Sequence, residues 1–575
     1  MRDYVTAASE FDYDHTVAEI LSGNLSAMNA CVECCDRHAD SDKIALRWEG
    51  RDGQRADWTF AQLKVAAARF ANLLSGYGIQ PGDTVAGLLP RTPELLVTIL
   101  GAWRLGAIYQ PLFTAFGPKA VEHRIKESGA KMVVTDAVNS EKLDAIEAAP
   151  RRLVVGDGVE DFWTQVNRQS SEFEPVLLNG EAPFLAMFTS GTTGPAKQLH
   201  VPLKAIVAFV TYMRDAVDLR PEDNFWNIAD PGWAYGLYYA VTGPLAMGHS
   251  TLFYEGGFTV ESTCRVVRDY AITNMAGSPT AFRLLLAARS EVEGQIKGRL
   301  RAVSSAGEPL TPEVIRWFRD GLGCTIHDHY GQTELGMVLC NHHALNHAVS
   351  IGTAGYAMPG HRVVVLDDQQ RELEPGKPGM LALDRSRSPL LWFSGYVGIK
   401  TKAFVGNYYL SGDTVEMNTD GSISFVGRAD DVITTSGYRV GPFDVESALV
   451  EHPAVIEAAV IGKPDPERTE LVKAFVVLHA GQNGDTVLAE QLQQHVRTRL
   501  SAHAYPREVE FVDECPKPRA ARSSDSCCAI GKRRRYSNRP RRSAETGRQK
   551  RVLWPGRASS CPTGWPFATS AAHIT

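Results

Sequence analysis

The sequence lacks the marks of a membrane, secreted or disulfide-stapled chain. No stretch of its 575 residues approaches the roughly 18 consecutive apolar residues that a spanning helix needs. The first thirty residues, MRDYVTAASEFDYDHTVAEILSGNLSAMNA, carry acids throughout and no apolar run, which argues against a secretory signal and predicts a cytoplasmic protein. Its ten cysteines follow no framework of paired spacings, so the thiols read as free, small core residues in a reducing compartment. No internal repeat is visible. What is present, 44% hydrophobic and 22% charged residues with a net charge of -6, is the composition of a globular protein large enough for two or more cores.

Two groupings of Cys and His are weighed as metal sites. CVECCDRHA places Cys31, Cys34, Cys35 and His38 within eight residues, but no second ligand pair follows at zinc-finger spacing, and the three- and four-residue steps are those of an N-terminal helix. CNHHALNH offers Cys340, His342, His343 and His347 and is expected in a surface loop.

Periodicity organises the rest. TFAQLKVAAARFANLLSGYGI and PELLVTILGAWRLGA have helical apolar spacing, while DTVAGLLP and AKMVVTD read as buried strands; STLFYEGG, ITNMAGSPTAFRLLLAA and LRAVSSAGEPLTPEVIRWFRD continue the alternation. This predicts layered α/β structure to about residue 425. GSISFVGRADDVI reads as a hairpin and charged link. Beyond it, DVESALVEHPAV, IEAAVIGKP, ELVKAFVVLH and VLAEQLQQHVRTRLS make a smaller set of about 85 residues.

FTSGTTGPAK, residues 188–197, is too rich in hydroxyls and glycine to build a core. Thr189, Ser190, Gly191, Thr192, Thr193 and Gly194 suit the wrapping of N–H groups and hydroxyls around phosphate oxygens, with Lys197 adding a charge. It is not a Walker A loop, because the four-residue gap and the GK[ST] ending are missing.

Three further stretches follow in order: YGQTE at 330–334, LSGD at 410–413 and GRADDVITTSGYRVGP at 427–442. Together with the glycine loop they resemble the adenylate-forming (AMP-binding) superfamily of acyl-CoA synthetases, peptide-synthetase adenylation domains and luciferases, over residues 40 to 517. ADPGW, FSGY and SGYRVGP look most like the medium-chain acyl-CoA synthetases, with the acetyl-CoA synthetases as near relatives. The resemblance implies an α/β fold. A large N-terminal domain of layered subdomains over 1–428 would be followed by a small mobile α+β domain over 429–517 and a disordered, aberrant tail over 518–575.

It also implies the chemistry and the site. A carboxylic acid is a poor acyl donor; ATP converts it to an acyl-adenylate and a thiol then displaces AMP. Thr189 to Gly194 with Lys197 would hold the β- and γ-phosphates, Thr333 would contact the α-phosphate, and Glu334 would help hold Mg²⁺. Asp413 would accept the ribose hydroxyls, and Arg428 would join it at the ribose or the phosphates. Gly307, Glu308 and Pro309 match the segment stacked on adenine, and Tyr330, Gly331 and Gln332 complete that site. For the coenzyme A step, Ser436, Gly437 and Tyr438 match a pantetheine-contacting turn, Arg439 and Arg468 are candidate phosphate contacts, and the hinge would be Asp430 or Asp431. The partners implied are a small carboxylic acid, ATP and coenzyme A, with no membrane span; nucleic acid is not expected. Here Pro195, Ala196 and Lys197 place the proline one residue earlier than the family does. Gly331 stands where acetyl-specific relatives have Trp, which favours acids longer than acetate, and Trp233 reads equally as a pocket wall or as core. One methylene is worth only about 1 to 3 kcal/mol of discrimination, so overlapping substrates are expected.

The family expects a lysine near the C-terminus in a segment like PKTxSGKIxR, bridging the substrate carboxylate and the α-phosphate. Here PREVEFVDECPK is followed by PRAARSSDSCCA, and no SGK appears. Back-translating Pro518 to Ala529 and reading one nucleotide earlier permits Thr-Pro-Ser-Gly-Lys-Ile-Gln-Arg-Phe-Val-Leu-Arg directly after Lys517. The lysine would straddle the codons of Ala521 and Arg522. One missing nucleotide after codon 517 would also account for ten Lys or Arg against one Glu over 531–551, and for four of the ten cysteines lying from 515 onward. The rival reading is a basic tail that binds nucleic acid or an acidic surface. Other classes considered are a luciferase-like monooxygenase, an adenylation module that loads a carrier protein, and an acetyl- or propionyl-CoA synthetase.

Overall fold

The computed structural model describes residues 1–515 apart from 145, 148, 157–160, 190–195, 429–432, 436–437, 466–468 and 501–503; at 434, 438, 439 and 469 the backbone alone is described. The tail over 518–575 therefore lies outside the described residues. Among those described, no helix is long and apolar enough to cross a membrane.

Helix Phe60–Gly76 starts at a capping box in which Thr59 accepts from the Gln62 amide and Gln62 accepts from the Thr59 amide. It packs on helix Pro93–Leu105, which opens on proline and stops at left-handed Gly106. A Cβ at Gly101 would lie 2.6 Å from Phe70, so the missing side chain is what lets these two helices approach.

They cover a six-stranded sheet in the order Arg151–Val155, Met132–Asp136, Thr84–Leu88, Ile108–Pro111, Pro183–Thr189 and Lys197–Pro202, parallel except for the last pair. A second six-stranded sheet runs Phe225–Asn227, Asn274–Gly277, Ala302–Ala306 and Thr325–Gln332 in parallel, then Gly336–Cys340 and Tyr356–Ala357 antiparallel. A third, antiparallel sheet pairs Val363–Leu366, Pro378–Asp384, Tyr408–Met417 and Ile423–Arg428. One apolar cluster spans the first and third sheets, with residues from Val85 and Leu185 to Leu381 and Val415.

After residue 432 the chain builds a separate layer. Strands Val455–Asp465 and Thr469–Leu478 form a hairpin flanked by Ile433–Thr435, Tyr438–Val440 and Glu508–Phe511. Val445 and Leu449 of helix Pro442–Val450 and Leu492 and Val496 of helix Thr486–Arg499 close a distinct core over it. This is the layered α/β body with a smaller α+β unit that the sequence predicts.

Two local expectations change. The helix carrying Cys31 and Cys34 is a single turn, Ala30–Cys34, and leaves helical geometry at Cys35 (φ -142°, ψ -62°) before a 3-10 turn, Asp36–His38. All three thiols are buried as small core side chains, Cys35 against the Phe60 carbonyl and Cys34 against that of Thr242. The segment around Cys340 is not a surface loop: Asn341, His342 and His343 are buried, because the chain returns under the second sheet and His343 stacks on His327 at 3.9 Å.

Burial holds these imidazoles neutral, His342 and His343 at pKa values of about 3, and pushes His327 and His329 well below the ordinary range. In the unfolded chain they protonate near pH 6.5, so the folded state binds fewer protons below that point. Stability is full above pH 6.5 and is lost as pH falls toward 3, at about 1.4 kcal/mol per pH unit for each histidine. The carboxyl of Asp328, raised by burial to about 8, and those of Glu334 and Asp413, also raised, work in the opposite direction, against these four histidines together with His38 and His361, both lowered to about 4. Urea denaturation midpoints should therefore fall steadily from pH 6.5 to 4.5; a flat profile contradicts this.

Candidate active site

The carboxyl ends of the two parallel sheets and the third sheet supply one constellation, as open α/β sheets do. Strands Pro183–Thr189 and Lys197–Pro202 pair antiparallel with Thr189 opposite Lys197, so these two residues stand at the two ends of the 190–196 connection. Ser190, Gly191, Thr192, Thr193, Gly194 and Pro195 lie outside the described residues. His123 Nε2 meets the Ala196 carbonyl oxygen at 2.9 Å.

Thr333 and Glu334 occupy the tight turn between Thr325–Gln332 and Gly336–Cys340. Gly331 sits where that hairpin closes: a Cβ there would be 2.2 Å from the Gly336 carbonyl oxygen. A side chain at 331 would therefore require the facing Gly336–Met337 backbone to shift. Gly336 itself has φ +68°, which favours glycine.

Asp413 is the centre of the site. A residue in the left-handed region, Gly412 (φ +79°), precedes it, and the antiparallel register sets it opposite Arg428. Its side chain is 3% exposed. Oδ2 accepts from the Tyr330 hydroxyl and from Gln332 Nε2 at 2.8 Å, and Oδ1 meets Arg428 Nη1 at 3.0 Å. Tyr409 donates to Gln332 Oε1 at 3.0 Å, fixing the amide's orientation. Burial pushes the Asp413 carboxyl above the usual range, while Arg428, Tyr330 and Gln332 pull it back. With three of about four acceptor directions filled, two further donors can be accommodated only if Arg428 moves away, and its side chain is 42% exposed and free to do so.

Glu334 is buried beside this centre. Its Oε1 accepts from the Tyr396 hydroxyl at 2.6 Å, and Lys197 Nζ lies 5.2 Å above the Tyr396 ring. Burial raises its carboxyl, and Tyr396, Arg428 and Lys197 oppose that rise. The structure therefore gathers Lys197, Tyr330, Gln332, Glu334, Asp413 and Arg428. Gly307, Glu308 and Pro309 follow the next strand, Ala302–Ala306; Glu308 binds Thr280 and Arg283, and the backbone just beyond is tied in by Leu310 N–H donating to Asp328 Oδ2 at 3.2 Å. Trp233 packs edge-on to Phe116 at 5.2 Å and tilted on Phe113 at 5.6 Å, half-buried.

Asp430, Asp431, Ser436, Gly437 and Arg468, and the side chains of Tyr438 and Arg439, lie outside what is described. Sequence reasoning did not assign Tyr396, Tyr409 or Asp328. FSGY drew notice only as a resemblance, and Tyr409 and Asp328 carry no local signal, since their partners are 77 and 18 residues away.

Comparison with known proteins identifies the relatives of the chain. The family described as AMP-binding enzyme matches residues 34–397, and AMP-binding enzyme C-terminal domain matches 444–522. The chain is 36% identical over 540 residues to acetyl-coenzyme A synthetase of Bacillus subtilis (strain 168), covering 91% of this chain and 94% of that protein. A mitochondrial acyl-coenzyme A synthetase of Rattus norvegicus is 35% identical, covering 82% and 84%. The crystal structure of an acyl-CoA synthetase from Brucella canis is 57% identical, with a TM-score of 0.76, covering 90% of this chain and 97% of that one.

Proposed function

The chain belongs to the AMP-binding enzyme family, and from that premise we propose that it is an AMP-forming acid–thiol ligase. It activates a short- to medium-chain carboxylic acid through an acyl-adenylate and transfers the acyl group to coenzyme A. The observation that carries this is the buried Asp413 carboxylate, held by Tyr330 and Gln332 on one oxygen and by a displaceable Arg428 on the other.

A nucleotide's two ribose hydroxyls would take the Arg428 side of Asp413, and the freed guanidinium would turn to the phosphates. Lys197 and Thr189, at the mouth of the glycine loop, would hold the outer phosphates, with Thr333 at the α-phosphate. Glu334 fits Mg²⁺, which binds through one or two carboxylates plus substrate phosphate oxygens. A bound Mg²⁺ would supply neutralisation of phosphate charge; the protein's own part is to hold the Glu334 carboxylate in place through Tyr396. The body over 1–428 would carry this site, and the unit over 429–517 would turn about Asp430 or Asp431 to admit coenzyme A.

As written, the chain would adenylate poorly, because 518–575 replaces the segment that should carry the bridging lysine. The reading rests on the sequence itself, in which no SGK follows Lys517. Sequencing the coding DNA across codon 517 decides whether a nucleotide is missing. The substrate is read from ATP–pyrophosphate exchange across acids of increasing length, run on the frame-restored chain. Exchange should peak above acetate; exchange with no acid overturns the assignment, and a maximum at acetate selects the acetyl-CoA synthetase alternative.

A further inference from the structure

Behind the Thr333–Glu334 turn lies a piece of helix wound one register too wide, with two consecutive tyrosines aimed at the turn. Residues Leu237–Thr242 form a π-helical turn between the short helices Ala234–Gly236 and Gly243–Ala246. Its cause is local. Pro244 has no N–H to give the Ala240 carbonyl, which instead accepts from the Thr251 hydroxyl. The Thr242 hydroxyl reaches back five residues to the Leu237 carbonyl at 2.9 Å.

The consequence is placement. Tyr238 donates its hydroxyl to the Thr333 carbonyl at 3.0 Å, and the Tyr239 hydroxyl accepts from Met337 N–H at 2.9 Å. The two rings thus grip the turn on either side of Thr333 and Glu334. Neither can swing away: Tyr238 is 1% exposed and stacks on Phe209 at 4.4 Å, and Tyr239 is 2% exposed and packs on Tyr212 at 4.4 Å. Gly336 sits under the Tyr239 hydroxyl, where a Cβ would be 2.7 Å away. Wide turns of this kind cost helix geometry and recur at functional sites.

We propose that Tyr238, seconded by Tyr239, is a positioning residue that sets the phosphate-contacting turn and thereby governs affinity for the α-phosphate. The inference rests on the nucleotide reading of the site.

The test compares AMP with adenosine, two probes that differ by that phosphate, by calorimetry on the full chain. Wild type should bind AMP more tightly than adenosine. Tyr238→Phe should lower the AMP-to-adenosine affinity ratio about tenfold, with adenosine affinity unchanged. Tyr212→Phe is the control: it removes an equally buried hydroxyl, bonded to His329 at 2.8 Å, away from the turn, and should keep the wild-type ratio. A folded Tyr238→Phe protein with the wild-type ratio overturns the proposal. If that variant does not fold, Tyr239→Phe is read by the same criterion. Equal affinity of the wild type for AMP and adenosine would instead sink the nucleotide reading beneath it.

Discussion

Asp413→Asn is expected to weaken ATP binding about 10²-fold while leaving the melting temperature unchanged or slightly raised. The loss follows from donor counting. Tyr330 and Gln332 converge on Oδ2, and an asparagine carbonyl can satisfy them only by turning its NH₂ toward Arg428 and the ribose hydroxyls. A site built to bond a hydroxyl loses far more from one unpaired polar group than an apolar pocket loses from a methylene. Stability should not follow, because the charge removed is the buried one and the partner left behind is the exposed Arg428. Calorimetric titration with ATP and a thermal melt on the same sample check both halves. A drop in melting temperature with unchanged affinity would make Asp413 a structural residue instead.

Restoring one nucleotide after codon 517 is expected to raise adenylation, measured as ATP–pyrophosphate exchange, by about 10²- to 10³-fold. That is the usual effect of one preorganised cation at a developing charge. The thioester-forming step should change by no more than a few fold, since it does not need that lysine. An equal rise in both steps, or in neither, would contradict the reading of the tail.

What sequence could reach here was set by the range of the interactions. The glycine loop is legible as a short run of residue types unsuited to a core, whereas the YGQTE turn and the LSGD strand are legible only through their resemblance to a known family. The alternation of strands and helices was recognisable because burial imposes its period on neighbouring residues. The partnership of Asp413 with Arg428 depends on antiparallel register across fifteen residues, and the grip of Tyr238 on Thr333 spans 95. Neither leaves a local trace. His342 and His343 were misplaced for the same reason: polar letters predict a surface, yet their burial is decided by the sheet under which the chain returns.

The central claim is an acyl-CoA synthetase whose second half-reaction survives the loss of its first. It is tested most directly by two initial rates on the 575-residue chain. One is acyl-CoA formed from supplied acyl-AMP and coenzyme A, the other acyl-CoA formed from acid, ATP and coenzyme A. The account predicts that the first exceeds the second by about 10²-fold or more; equal defects in the two would contradict it.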